Sequence, residues 1–198
     1  MVERLADAPR STRVLDLGCA GGRNAVWLAE HGFDLHAVDA SDAMCARTRD
    51  RLGPVLGRAE AERRVHRRPM DDLAPFGDGA FDVILAFGIF HAAQSEDAWH
   101  RAVAEAARVL VSGGEMWVAH FAPESDPTGE GLRRVEGEDH LYEGFRGHRH
   151  ILLLQPGELD AWAAGHGFVP VTPTEAVRVV RGEGYRTTVN ARYRLEGV

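Results

Sequence analysis

Apolar residues along this chain fall into short unbroken runs separated by longer stretches in which they recur at helical spacing. Arg13 to Leu17, Asp34 to Val38, Arg64 to Arg67, Phe81 to Phe87 and Glu115 to Phe121 read as strands. Phe81-Asp82-Val83-Ile84-Leu85-Ala86-Phe87 is the most continuous of these, as a central strand buried on both faces requires. Between the runs, Asn24 to Ala29 predicts a helix closed by Gly32. Ser41-Asp42 offers a cap for a second helix, from Ala43 to about Leu52, which Gly53-Pro54 is expected to break. Ser95-Glu96-Asp97 caps a third, whose apolar face holds Trp99, Val103, Ala106 and Leu110, and Gly113-Gly114 turns into the fifth strand. Past Phe121 the periodicity fails until a helix from Glu158 to Gly165. Two strand-like runs follow, Phe168 to Arg181 and Tyr185 to Leu195, joined by the hairpin turn Gly182-Glu183-Gly184.

Alternating strands and helices predict an α/β fold with right-handed crossovers: a doubly wound, mostly parallel sheet of seven strands, its C-terminal strand pair antiparallel at one edge. The 198 residues suit one domain, 1–198. The aperiodic stretch from about 122 to 150 is longer than an ordinary connection and reads as a substrate-side lid.

Composition narrows the function. The net charge of −7 argues against a nucleic-acid binder, and the one basic run, Arg63 to Arg68, reads as solvated charge beside a strand. All 23 basic residues are arginines, so no Schiff-base or phosphate-loop lysine exists. Cys19 and Cys45 lack metal-binding spacing, no stretch suits a membrane span, and the start of the chain has no leader-like pattern. A cytoplasmic protein, monomer or homodimer, without nucleic-acid or membrane partners, is expected.

The chemistry-bearing signal is Val14-Leu-Asp-Leu-Gly-Cys-Ala-Gly-Gly22, an apolar strand entering a glycine turn, followed by a second strand that ends on Asp39. A loop without bulky side chains and a carboxylate at the next strand tip suit a nucleoside, the acid accepting from ribose hydroxyls. A dinucleotide fingerprint counted from Gly18 would put glycines at 20 and 23, where Ala20 and Arg23 stand, so a nicotinamide or flavin site fits poorly.

Several segments together resemble the class I S-adenosylmethionine-dependent methyltransferases, a Rossmann-like family. Val14 to Asn24 is similar to their first motif, and Ala37-Val-Asp-Ala-Ser-Asp-Ala-Met44 to the second. Met70-Asp-Asp-Leu-Ala-Pro-Phe76 through Phe81-Asp82 resembles the adenine-side segment, Phe87-Gly-Ile-Phe-His91 the end of strand four, and Ala107 to Gly114 the turn into strand five. The resemblance covers about 13–120 and looks nearest to small bacterial enzymes of the tellurite-resistance and small-molecule type.

It implies methyl transfer from S-adenosylmethionine to a small-molecule acceptor, leaving S-adenosylhomocysteine. The cofactor-binding positions it implies are Asp16 for the ammonium, Gly18, Ala20 and Gly22 for the methionine portion, and Asp39 with neighbouring Ala40 for the ribose. Met44 lies against adenine, Asp71 or Asp72 accepts its amino group, and Phe87 closes strand four. His120 and His91, at strand ends on the carboxyl edge, are candidates for a general base. Tyr142, Arg146 and His150 are candidate substrate contacts from the lid. No metal is expected: Gly88 to His91 carries no acid, and His140, His148 and His150 lack zinc spacing. Two alternatives stand beside this reading, a non-catalytic S-adenosylmethionine-binding protein and a nucleic-acid methyltransferase.

Overall fold

The computed structural model describes residues 5–8, 10–145, 147, 149–182 and 184–196. β1 (Arg13–Leu17) pairs in parallel with β2 (Asp34–Asp39) on one side and β4 (Phe81–Phe87) on the other. β3 (Val65–Arg67) extends the sheet beyond β2, and β5 (Leu110–Phe121) lies parallel to β4. β11 (Gly184–Leu195) runs antiparallel to β5, with β10 (Glu175–Arg181) on its outer side. The order β10-β11-β5-β4-β1-β2-β3 reverses direction between β1 and β4. That switch point opens a crevice at the carboxyl ends of the strands, where open α/β sheets bind ligands.

Each face of the sheet has its own apolar layer. On one side, α1 (Arg23–Glu30), α2 (Asp42–Leu56) and α3 (Arg58–Arg64) press Ala25, Leu28, Cys45, Leu52 and Ala61 onto Val14, Leu35, Val83, Leu85 and Trp117. On the other, α4 (Glu96–Val109) and α5 (Pro156–Ala164) cover Leu15, Leu17, Ile84, Met116 and Val118. α4 buries Trp99, Ala102, Val103, Ala106 and Val109, a stripe with helical period. Its cap is Ser95, whose hydroxyl accepts from the Ala98 amide at 3.1 Å.

Five local expectations give way. Leu110 and Gly113-Gly114 lie inside β5, where a register shift between Phe81 and Val83 takes up the extra residues. α2 continues through Gly53-Pro54 to Leu56, with Pro54 giving up one backbone hydrogen bond; the helix stops at Gly57, whose φ is +83°. α3 occupies a stretch that carried no helix prediction; Glu60 joins it to Arg63 and Arg64 at i,i+3 and i,i+4. The outer edge strand is split, with β9 (Phe168–Pro170) pairing the far end of β11 and Thr172-Pro173 lying outside the ladder. Prolines cannot donate to a ladder, so the sheet counts eight strands where seven were expected.

The lid, finally, holds a small antiparallel sheet of β6 (Arg133–Arg134), β7 (Leu141–Glu143) and β8 (Ile151–Leu152). Phe145, Ile151 and Leu153 form its core against Phe121, Leu132 and Tyr142. Asp126 and Tyr185 exchange backbone hydrogen bonds of 2.9 and 2.7 Å and fasten the lid to β11. A Cβ at Gly184 would fall 2.3 Å from the Asp126 carbonyl, so the junction requires glycine.

Candidate active site

The bend after β1 is built by backbone geometry. Gly18 has φ +76°, and its amide and that of Cys19 donate to the Val38 carbonyl at 2.8 and 2.9 Å, locking the bend onto β2. A Cβ at Gly18 would meet that of Ile89 at 2.7 Å, so glycine lets this bend approach the loop after β4. Gly22, φ +75°, caps α1 with no room before Thr48. Ala20 is the only non-glycine residue with positive φ among the described residues, at +46°. It is exposed, and two bonds hold it there: its amide donates to Asp39 Oδ2 at 2.9 Å and its carbonyl accepts from Thr48 Oγ1 at 2.8 Å. Thr48, buried in α2, is thus a supporting residue that no local pattern advertised.

Asp39 at the tip of β2 also accepts from the Ser41 amide through Oδ1 at 2.9 Å. The carboxylate is fixed by one backbone N–H on each oxygen, and each keeps lone-pair capacity for a hydroxyl. Asp16 has a different environment. Its side chain is buried, and Oδ2 has no hydrogen-bond partner among the described residues. Burial pushes its pKa up to about 7, the Asp39 charge pushes the same way, and the Asn24 side chain, the Ala25 amide and Arg23 oppose it. An orphaned buried carboxylate oxygen is expensive unless something cationic meets it. The amino acid portion of S-adenosylmethionine carries an ammonium of this kind, so the residues present fit that cofactor. Ala40 is exposed beside Asp39, and Met44 is half-buried in the first turn of α2.

Asp71 and Asp72 diverge. Asp71 pairs with Arg101 of α4 at 3.3 Å, whereas Asp72 pairs with Arg68 at 3.0 Å and accepts from the Ala74 amide. Their loop is held by α4: Glu105 accepts from the Leu73 amide at 2.8 Å, and Arg108 donates to the carbonyls of Leu73 and Phe76 and to Asp78. These anchors were not legible from spacing.

Beyond Phe87 lies a cavity of about 470 Å³ whose walls include Arg23, His91, Phe121, Phe145 and Arg186. The His91 ring is 4.5 Å from that of Phe121. His120 does not reach this space. It is fully buried on the α4 and α5 side of β5 beside Met116 and Val118, and burial pushes its pKa down to about 3. A sealed imidazole cannot exchange a proton with an acceptor, so of the two candidate bases the structure presents His91 to the cavity. Tyr142 packs in the lid core, and His150 faces Glu143 at 3.5 Å; neither lines the cavity. Arg146 lies outside the described residues. Phe145, Arg186 and Thr188 line the cavity instead. Among the described residues no group of three or more His, Cys, Asp or Glu could hold a metal ion. A larger hollow of about 620 Å³, over Trp117, Val177 and Arg192, shares no residue with the bend or its acids.

The fold aligns along nearly all of its length with solved methyltransferases. The 1,6-didemethyltoxoflavin-N1-methyltransferase of Burkholderia thailandensis, determined with its heterocycle and S-adenosylhomocysteine, superposes with a TM-score of 0.67 at 23% identity, over 98% of this chain and 75% of that one. A methyltransferase from Methanosarcina mazei gives 0.70 at 15% identity, over 95% of this chain and 94% of that one. Among curated proteins, the magnesium-protoporphyrin O-methyltransferase of Rhodobacter capsulatus is 37% identical over 86 residues, 43% of this chain and 36% of that protein. The ribosomal RNA small subunit methyltransferase C of Alcanivorax borkumensis is 30% identical over 109 residues, 54% of this chain and 31% of that protein. The chain spans about a third of the length of the curated relatives it matches. The family model described as a methyltransferase domain matches residues 14–114, a general model coarser than the tellurite-resistance likeness. With the glycine bend, its two acids and the switch-point crevice inside that match, the chain belongs to the class I S-adenosylmethionine-dependent methyltransferase family.

Proposed function

We propose that this protein transfers a methyl group from S-adenosylmethionine to a small-molecule acceptor bound in the cavity beyond Phe87. The observation that carries the reading is the buried, unpartnered Oδ2 of Asp16 beside the amide-fixed carboxylate of Asp39. One acid answers an ammonium and the other a ribose diol. Arg23, which follows Gly22 directly and bears on Asp16 electrostatically, is placed to hold the methionine carboxylate. Met44 and the Asp71–Asp72 loop serve the adenine side. The 470 Å³ cavity is of small-molecule size, and the Burkholderia neighbour binds a small heterocycle.

When bound, the cofactor supplies a methyl group activated by a sulfonium, so the protein's task is alignment and exclusion of water. Phe87, Phe121 and Phe145 supply the apolar part of that wall. Where the acceptor carries a proton to be lost, His91 is the group at the cavity wall that can take it.

Isothermal calorimetry with S-adenosylhomocysteine tests the first half of this reading, and mass spectrometry of acceptor mixtures incubated with S-adenosylmethionine tests the second. Saturable binding with adenosylhomocysteine release on turnover is expected. Absence of binding would remove the proposal, and binding without turnover on any acceptor would leave the non-catalytic alternative.

A further inference from the structure

The protein carries an excess of acid, with a net charge of −7, yet the described residues lining the acceptor cavity include two arginines and a histidine and no acid. Arg23 belongs to the cofactor side. Arg186 does not: it stands on β11, across β4 and β5 from the glycine bend, two residues beyond the Thr188–Phe121 register pair. Its guanidinium lies over the rings of Phe121 and Phe145, 5.4 and 5.2 Å from their centroids, and those rings stack on each other at 5.3 Å with 25° between planes. Cation–π contact holds the guanidinium plane without consuming its N–H groups. No ion pair engages Arg186 among the described residues, whereas Arg13, Arg64, Arg108, Arg192 and Arg194 all have carboxylate partners. An oriented, unpaired guanidinium on an aromatic wall presents a fork that matches a carboxylate or another planar oxyanion.

We infer that the acceptor is a planar, conjugated small molecule bearing an anionic oxygen group, which Arg186 anchors while the ring lies against Phe87 and Phe121. The inference rests on the methyltransferase reading and narrows it to a substrate class. A cationic acceptor would add a like charge beside Arg23 and Arg186, and a neutral one would leave the exposed fork to water.

The test titrates benzoate, salicylate and 2-naphthoate, against benzamide and benzylamine as neutral and cationic counterparts, into the 198-residue protein saturated with S-adenosylhomocysteine. Binding is followed by calorimetry and ligand-observed NMR in wild type, Arg186→Gln and Arg186→Lys. Saturable binding of at least one carboxylate is expected, at least tenfold tighter than the amide or amine of the same ring. Arg186→Gln should weaken it tenfold or more, Arg186→Lys should recover part of the loss, and affinity for S-adenosylhomocysteine should stay within twofold. Equal binding of amine or amide, no carboxylate binding at all, or an unaffected Arg186→Gln would each overturn the anionic class. A tenfold loss of S-adenosylhomocysteine affinity in Arg186→Gln would overturn it too, by assigning Arg186 to the cofactor. Failure of wild type to bind S-adenosylhomocysteine would instead strike the methyltransferase reading beneath it.

Discussion

Mild acid should loosen the hold on S-adenosylhomocysteine well before it threatens the fold, because Asp16 must be ionised to meet the ligand's ammonium. In the free protein burial raises its pKa from the ordinary 3.8 to about 7. An acid shifted upward destabilises the folded state when charged: the cost is absent below the ordinary pKa, grows as pH rises through that window, and is complete above about 7. Three units correspond to about 4 kcal/mol, offset in the complex by the cation it meets. Between about pH 8 and pH 6 the ionised fraction falls from roughly nine tenths to one tenth, so Kd should weaken roughly tenfold, or ~1.4 kcal/mol.

Calorimetry across that range measures the slope, and repeating it in buffers of different ionisation enthalpy counts the proton released near neutrality. Asp16→Asn should bind about 1.5–3 kcal/mol more weakly at about pH 8 through loss of a charge-assisted contact, and its Kd should be nearly flat with pH. Relieved of the buried charge, the same variant should melt at higher temperature than wild type without ligand, and ligand should shift that temperature less. A wild-type Kd unchanged within twofold over this range, or a slope that survives in Asp16→Asn, would refute the assignment of the orphaned oxygen to the ammonium.

Three further substitutions probe the supports. Asp39→Ala releases the Ala20 and Ser41 amides as well as any ribose contact, so affinity for S-adenosylhomocysteine should fall by about 1–3 kcal/mol, with unchanged affinity counting against the site. Gly18→Ala sets a methyl 2.7 Å from Ile89 at a φ of +76°, and urea unfolding should show a loss of at least about 1 kcal/mol, partly restored by adding Ile89→Ala. Arg108→Met removes donors to Leu73, Phe76 and Asp78 and should cost about 1–3 kcal/mol of stability; a larger fractional loss of affinity for adenosine-containing ligands than for methionine alone would tie this loop to the adenine side.

Much of the fold was readable because its signals are local. The apolar run of β4, the Ser95 cap and the helical stripe of α4 each depend on neighbours within a few turns. The departures have longer-range causes. α2 runs on through Pro54, at the loss of one backbone hydrogen bond, and ends only where Gly57 stops it. The break between β9 and β10 is set by which edge of the sheet the prolines occupy. The lid's sheet is short, with only two or three residues per strand, and its core borrows Phe121 from β5. No periodicity in the lid sequence could have reported that.

The site divides along the same line. Asp16 and Asp39 stand at strand tips beside a glycine bend, and a pattern of a few residues is enough to single them out. The cavity wall is gathered from β4, β5, the lid, β10 and β11, and its membership follows from side-chain parity in the sheet. Phe87, Ala119 and Phe121 point to the face that carries Trp117 and α1, while Val118 and His120 point to α4 and α5. A one-residue step therefore separates a cavity-lining aromatic from a buried imidazole, though both sit at the same strand end. The same parity on β11 sends Arg186 and Thr188 to the cavity and Thr187 and Val189 to the interior, where they are buried. Because β11 enters the sheet antiparallel after the whole lid, the guanidinium it delivers meets aromatic rings far from it in sequence. The positive character of the cavity wall is thus a product of topology, invisible in a chain whose overall balance is acidic.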